Sequence, residues 1–203
     1  MALTVRPLVL EGYGVRLEPL TAEHAAALYS IGQQVEDWRY MPRSEFTSLA
    51  DTRCWLEEAQ ALAELGEQIG FAIRDQVSGC LAGSTRLLNI RPAHRSLEIG
   101  YTWLGRDFQR SHVNTAAKFC LLRHAFDSLQ ALRVELKCDR RNERSQRAIA
   151  RLGATREGVF RKHMVVREGY VRDSVYFSII DDDWPPIAQR LQRSLQQQST
   201  RGR

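Results

Sequence analysis

The sequence predicts a mixed α/β fold of the α+β kind, built on a mainly antiparallel sheet of about seven strands. Three observations lead there. Runs that alternate apolar and polar residues recur along the chain. Three of them, between Gly70 and Leu104, follow one another through short turns, which makes an antiparallel meander. One strand–helix–strand crossover sits mid-chain, from "EIGYTWL" through a long apolar helix to "RVELKCD".

The elements follow in order. "VRLEPL" (Val15 to Leu20) alternates as a half-buried strand does, and Thr21 caps a helix through "AEHAAALYSIG". "SLADTRCWLEEAQALAEL" is a second helix, with Leu49, Trp55, Leu56, Ala59 and Leu62 at helical spacing. The meander strands are "IGFAIRD", "CLAGSTRLLNI" and "SLEIGYTWL", separated by "QVSG" and "RPAHR". The next helix runs to about Leu129; Phe119, Leu122, Phe126 and Leu129 mark its apolar stripe, while Lys118, Arg123 and Asp127 stay polar. "RVELKCD" is a strand, and a helix from Glu143 to Leu152 ends at Gly153. "TREGVFRKHMVV" and "VRDSVYFSII" form a long hairpin through "REGY". "DDDWPP" then breaks the chain before a terminal helix.

Length, and the lack of any repeat or long linker, fit one domain over 1–203, with 184–203 a C-terminal helix and frayed tail. No stretch is apolar enough to span a bilayer, and the first residues lack a signal-peptide pattern, so a cytoplasmic protein is expected. Cys54, Cys80, Cys120 and Cys138 are far apart and read as small buried hydrophobes. The histidines show no metal spacing, and no metal is expected. The net charge of +5 leans toward polyanions, either RNA or a phosphate-bearing cofactor.

Three stretches carry candidate chemistry. Gln109, Arg110, Ser111, His112, Val113, Asn114 and Thr115 lie between a strand and a helix start, where free amides and the helix dipole favour a phosphate. The plainer reading makes Asn114 or Thr115 an N-cap. In "EIGYTWL", period two puts Leu97, Ile99, Tyr101 and Trp103 on one face and Glu98, Gly100 and Thr102 on the other. Gly100 marks a bulge, which changes the alternation after it, or a close approach. Glu98 is a carboxylate in an apolar strand; burial would raise its pKa toward that of a base, and the plainer reading leaves it facing solvent. Asn142 stands at a strand exit with Ser145 one turn on; both suit a cap and both suit a passing ligand.

Together, "EIGYTWL", "FQRSHVNTAAK", "RVELKCDRRNERSQRAIARLGATREGVFRKHMV" and the strand closing in "DSVYFSIIDDDW" resemble, in order and spacing, the GNAT superfamily of acyl-CoA-dependent N-acetyltransferases, in its RimJ/RimL-like branch. The resemblance covers nearly the whole chain. It implies the acyl-CoA N-acyltransferase fold with helices on both sheet faces and acetyl-CoA as co-substrate. The strands like "EIGYTWL" and "RVELKCD" then splay around the pantetheine arm, which pairs with the first near Tyr101, Trp103 and Leu104. The loop Gln109 to Asn114, with Thr115, wraps the pyrophosphate through its amides. Asn142 bonds the pantetheine, and Ser145 lies near the sulfur. Two departures stand out: the loop has neither of the usual glycines, His112 occupying one such place, and Ile149 stands where many members carry a tyrosine acid.

The implied reaction is direct attack of a primary amine, a protein N-terminus or a small molecule, on the acetyl thioester. Glu98 is the expected base, through water, and Ser145 a substitute acid. The acceptor site falls to the first helices and the final hairpin, including Trp38, Tyr40, His163 and Tyr176. A homodimer is plausible for the branch and nucleic acid is not expected as a partner. The rival reading is a non-catalytic module of the same fold that senses acyl-CoA or docks on the ribosome or RNA.

Overall fold

The computed structural model describes residues 3–201. Eight strands form one sheet in the order β1-β2-β3-β4-β5-β6-β8-β7. They are β1 (Leu10–Gly12), β2 (Val15–Pro19), β3 (Ile69–Asp75), β4 (Leu81–Arg91), β5 (Ser96–Leu104), β6 (Arg133–Asp139), β7 (Thr155–Val165) and β8 (Val171–Ile180). Every neighbouring pair is antiparallel except β5–β6, the crossover pair. The strand beyond the expected seven is β1. It is three residues long and pairs with β2 across the tight turn at Tyr13 and Gly14, too short to show an alternation in the sequence.

The helices are α1 (Ala25–Ile31), α2 (Val35–Trp38), α3 (Leu49–Glu64), α4 (Val113–Arg123), α5 (Glu143–Leu152) and α6 (Trp184–Arg201). Thr21 caps a 3-10 turn over Ala22–His24 that runs into α1: its amide donates to His24 Nδ1 at 3.0 Å and its carbonyl accepts from the His24 amide. Ser48 caps α3 by accepting from the Asp51 amide at 3.0 Å. Gly153 ends α5 with φ of 96°, a left-handed residue where a β-carbon would also strike Ile187. The expected helix to Leu129 is α4 followed by a wider π turn over His124–Ser128. The expected C-terminal helix is α6, which runs to Arg201; only the last two residues of the tail expected to fray lie outside the described residues.

The sheet has two differently covered faces. On one, α4, α5 and α6 bury Phe71, Leu97, Ile99, Val134, Leu136, Val175 and Phe177 with Phe119, Leu121, Ile149 and Leu191. On the other, α1, α2 and α3 cover only β3–β5, through an aromatic cluster of Trp38, Phe46, Trp55 and Trp103. Among the described residues, no helix covers the outer face of β6, β8 and β7. There the alternate residues are polar: Glu135, Lys137 and Asp139 on β6, and Arg172, Ser174, Tyr176 and Ser178 on β8. Period two thus gives these strands one greasy face and one wet face, and the wet one is a polar groove.

Of the cysteines, Cys120 and Cys138 are buried as expected, whereas Cys54 and Cys80 are exposed. Cys54 falls on the outward side of α3 and Cys80 in the turn before β4, where no core is available. Lys118 reverses the helix expectation: it is buried against the sheet.

Candidate active site

β5 and β6 pair at only three positions, Ser96↔Arg133, Leu97↔Val134 and Glu98↔Glu135. Beyond them β5 continues to Leu104 and β6 to Asp139 without touching in register. The sheet therefore opens into a wedge whose walls are unpaired backbone edges. Buried backbone groups need partners, so a wedge of this kind is a slot for something that supplies them. At its open end lie the loop before α4 and the start of α5.

Two bulges shape the wedge and the groove beside it. On β5, Arg86 pairs with Gly100 and Ser84 with Trp103, so two residues oppose the single Thr85. Tyr101 takes the strain, at φ of 50°. Alternation inverts there, correcting the even period expected from the sequence. Leu97 and Ile99 face α4, but after the bulge it is Leu104 that joins that core while Trp103 joins the aromatic cluster opposite. The close approach expected at Gly100 is also real: a β-carbon would meet Glu98 Oε1 at 2.9 Å and Leu88 at 3.1 Å. On β7, Phe160 pairs with Ser174 and Met164 with Arg172, and Lys162 sits at φ of 50°. This second bulge turns His163 to Ser174 (3.0 Å) and Tyr176 (3.2 Å).

Glu98 lies at the apex of the wedge, 1% exposed. The plain solvent-facing reading fails, and so does the picture of a bare buried carboxylate. Oε2 accepts from Lys137 Nζ at 2.8 Å, reaching over from β6, and from Asn89 Nδ2 at 2.7 Å. The ammonium supplies the countercharge that burial would otherwise make costly. Tyr176 follows Lys137 along the groove, with Lys137 Nζ 5.7 Å from its ring and Phe160 stacked on that ring at 4.2 Å. Desolvation, then the charges of Lys137 and Arg172, lower the His163 pKa, so its ring is neutral at pH 7 and can accept a proton. Burial raises the Tyr176 pKa, which keeps that phenol protonated.

Beneath the β5 bulge, Lys118 Nζ bonds Thr102 Oγ1 and, at 3.3 Å, Thr85 Oγ1; the two hydroxyls are 2.8 Å apart. Burial pushes its pKa down to about 7, opposed by the Glu98 charge. This cluster ties α4 to the strained segment of β5.

The phosphate-loop candidates are placed as follows. Gln109 is a tie-bar: Nε2 donates to Leu104 O (2.9 Å) and Asp37 (3.0 Å), and Oε1 accepts from Arg144 (2.8 Å). Arg110 is the left-handed residue of the loop, at φ of 61°. Ser111 Oγ donates to Phe108 O (2.6 Å) and accepts from the Val113 amide (3.2 Å). The helix begins two residues earlier than an Asn114 cap requires and three earlier than a Thr115 cap, with His112 in the cap position and Ser111 Oγ serving the first amide. Val113 is core, and the first-turn amides of Asn114 and Thr115 are left facing the loop. His112 has φ of −65°, so no glycine is needed there. Its ring turns to Gly14 and to Asp75 Oδ1, 3.6 Å from Nε2, and away from the wedge.

Asn142 caps α5 as expected, Oδ1 accepting from the Ser145 amide at 3.0 Å. Nearby Cys138 is buried, and burial pushes its thiol up to about 11, with Ser145 acting against the rise. Ile149 is buried. Trp103 and Leu104 have side chains in the cores and present only backbone to the wedge. Of the acceptor candidates, Trp38 is core, its indole donating to Gly32 O at 2.8 Å. Tyr40 is at the rim, where Arg141 lies between its ring (5.6 Å) and that of Tyr170 (3.7 Å). His163 and Tyr176 are in the groove. Sequence reasoning missed Asn89, Lys118, Lys137, Arg141 and Arg172. The polar alternation of "RVELKCD" was the signal for Lys137 and that of "VRDSVYFSII" for Arg172; Asn89 sits at an irregularity of the β4–β5 pairing and Lys118 under the β5 bulge, which the sequence does not mark, and Arg141 lies in the turn after β6. A cleft of about 650 Å³ near Glu18, His24 and Arg74 lies outside the wedge, and those three side chains are paired with one another.

A family profile described as an acetyltransferase (GNAT) domain matches residues 15–155. The chain belongs to the GNAT acetyltransferase family. Among curated relatives, YdaF of Bacillus subtilis (strain 168), provisionally named a ribosomal N-acetyltransferase, is 31% identical over 83% of this chain and 90% of its own length. The ribosomal-protein-serine acetyltransferase of Escherichia coli (strain K12) is 26% identical over 82% of this chain and 93% of its own. A GCN5-related N-acetyltransferase from Brucella melitensis superposes with a TM-score of 0.89 at 33% identity, covering 95% of this chain and 87% of that one. Mycobacterium smegmatis RimJ, solved in complex with CoA-disulfide, gives 0.76 at 25% identity over 94% and 95%. These fit the RimJ/RimL-like branch. The chain is an acetyl-CoA-dependent N-acetyltransferase that moves an acetyl group to a primary amine, and the reading as a non-catalytic module is not favoured.

Proposed function

We propose that the wedge between β5 and β6 holds the pantetheine arm of acetyl-CoA and that the amine arrives along the polar groove of β6, β8 and β7. The observation that carries this reading is the three-residue pairing of β5 and β6 followed by their parting, with the start of α4 at the open end. The unpaired edge near Tyr101, Trp103 and Leu104 supplies amide partners. The loop Arg110 to Asn114 and the first turn of α4 at Thr115 take the diphosphate, the dipole favouring its charge. Gln109 holds that loop in place, Asn142 meets the arm at the start of α5, and Ser145 lies at the sulfur end. Glu98 takes the ammonium proton, through water, leaving a neutral amine to form the C–N bond as the C–S bond breaks. Ser145 gives its proton to the departing sulfur and takes in its place the second proton that the attacking nitrogen sheds as the amide forms.

The acceptor class that the relatives' names support is the α-amine of a protein N-terminus, as for ribosomal proteins. Consistent with it, the groove is open along the sheet face and polar, as a peptide requires. The whole chain, 1–203, acts as one domain, in the cytoplasm, without nucleic acid, and as a homodimer. Thiol release from acetyl-CoA, followed across N-terminal peptides and small amines, tests the reading. Turnover with peptides supports it; no thiol release with any amine refutes it.

A further inference from the structure

Two arginines are buried on the outer sheet face, and they differ in what meets them. Arg86, 5% exposed, has its guanidinium over the rings of Trp55 (4.8 Å) and Tyr101 (5.1 Å), and Nη1 donates to Gln68. Arg172, also 5% exposed, has nothing comparable. Its Nε is buried without a hydrogen-bond partner, and among the described residues no ion pair ends on it. Asp139 feels its charge but is held by Arg141 through both carboxylate oxygens. Asp173, its chain neighbour, is taken by the Lys162 amide and Arg140. A buried cation without a counterion is costly unless other groups meet it. Arg86 also lacks a partner at Nε, but two rings and Gln68 meet its guanidinium, whereas at Arg172 that place is open to a ligand's charge.

The place of Arg172 fits an acceptor. It is two residues before Ser174 and four before Tyr176, on the same face of β8. Its charge is felt by His163, Tyr176, Asp139 and Cys138. Glu98 lies at the other end of this line, beyond Lys137. The tip of the β7–β8 hairpin, next to Arg172, is gripped by the segment after α2: Arg167 donates to Arg39 O at 2.8 Å, and Arg141 joins Tyr40 to Tyr170. The groove therefore has a proton acceptor at one end and an unpaired, roofed cation at the other.

We propose that Arg172 binds a carboxylate of the acceptor, so that the enzyme selects amines carrying an acid group a short distance from the nitrogen. This rests on the groove being the acceptor site. The carboxylate has two sources: an acidic side chain just after a peptide's first residue, or the carboxylate of a free amino acid. The fork geometry of a guanidinium suits either through paired hydrogen bonds.

Binding of acetylated products tests this without needing turnover. Calorimetry on the full-length protein with CoA compares N-acetyl-Ser-Asp-amide with N-acetyl-Ser-Asn-amide, and N-acetylserine with its amide. The expected result is about 10- to 100-fold tighter binding of the acid member of one pair, which also names the source, and loss of that preference in Arg172→Gln with CoA affinity unchanged. Arg172→Lys, which keeps the charge without the fork, retains part of it and covers the case in which the glutamine variant fails to fold. No preference in the wild-type protein, a preference that survives Arg172→Gln, or a loss that falls on CoA instead overturns the proposal. Failure of the acetyl-transfer reading itself shows separately, as absent thiol release.

Discussion

Lys118 gives the sharpest physical test of how the wedge is built. Its ammonium group, on α4, is buried beneath the β5 bulge against Thr85 and Thr102. Burial lowers its pKa from 10.5 to about 7. In the unfolded chain the lysine holds its proton until pH approaches 10.5, whereas in the folded chain it has lost half by about 7. Between these values the unfolded state binds more protons, so stability rises with pH, by about 1.4 kcal/mol per pH unit at the full difference. From pH 7 to about pH 8.5 the gain is about 1.5 kcal/mol, the slope being half-strength near the folded pKa. Cys120 and Cys138, both pushed up to about 11, act in the opposite direction, but mainly above their unfolded value of 9.0.

Lys118→Met is the control, because it keeps the length of the side chain and leaves the two hydroxyls bonded to each other. Denaturant midpoints across that range would rise for the wild-type protein and stay flat for the variant, apart from the small cysteine contribution common to both. The variant would also raise the KM for acetyl-CoA, since the strained segment at Tyr101 loses its anchor. A wild-type midpoint that does not change with pH, or changes equally in both proteins, would refute the idea that burial sets the proton on Lys118.

Further outcomes follow from single contacts. Glu98→Gln lowers kcat at neutral pH by about 10²- to 10⁴-fold and by less at high pH, where the amine deprotonates unaided; equal activity at all pH values in both proteins removes Glu98 from the chemistry. Asn142→Ala costs about 1 kcal/mol of stability through the lost cap and also weakens CoA binding, read by denaturation and by calorimetry; a stability loss alone confines Asn142 to capping. His112→Ala leaves CoA affinity within about threefold, because the ring faces Asp75 and the proposed phosphate contacts are made by the loop amides. A large loss there would show that the imidazole itself touches the phosphates.

What the sequence showed and what it hid separate along one physical line. The Asn142 cap, with Ser145 as its partner, and the stop at Gly153 were legible because capping and helix termination are local: a residue and its partner lie within one turn. The polar groove was half legible, since the period-two polarity of "RVELKCD" and "VRDSVYFSII" is written in the residues, but which strands face each other across it is not. The bulges were the real barrier. One extra residue on β5 carries Trp103 out of the face that Leu97 and Ile99 occupy, and only Gly100 hints at it. The β7 bulge likewise turns His163 to Tyr176, from a strand whose residues otherwise read as an ordinary hairpin arm. Both distortions are strained at a non-glycine residue, Tyr101 and Lys162, and each places a strand's side chains beside the wedge or the groove. A regular sheet would bond β5 to β6 throughout and leave no edge for a ligand. This chain instead forgoes ladder hydrogen bonds between two central strands, and the loss is tolerable only if something else meets those groups. Lys118 anchors the β5 distortion from below and Glu98 with Lys137 closes it from above. The parted strands are therefore a built opening rather than a weak seam.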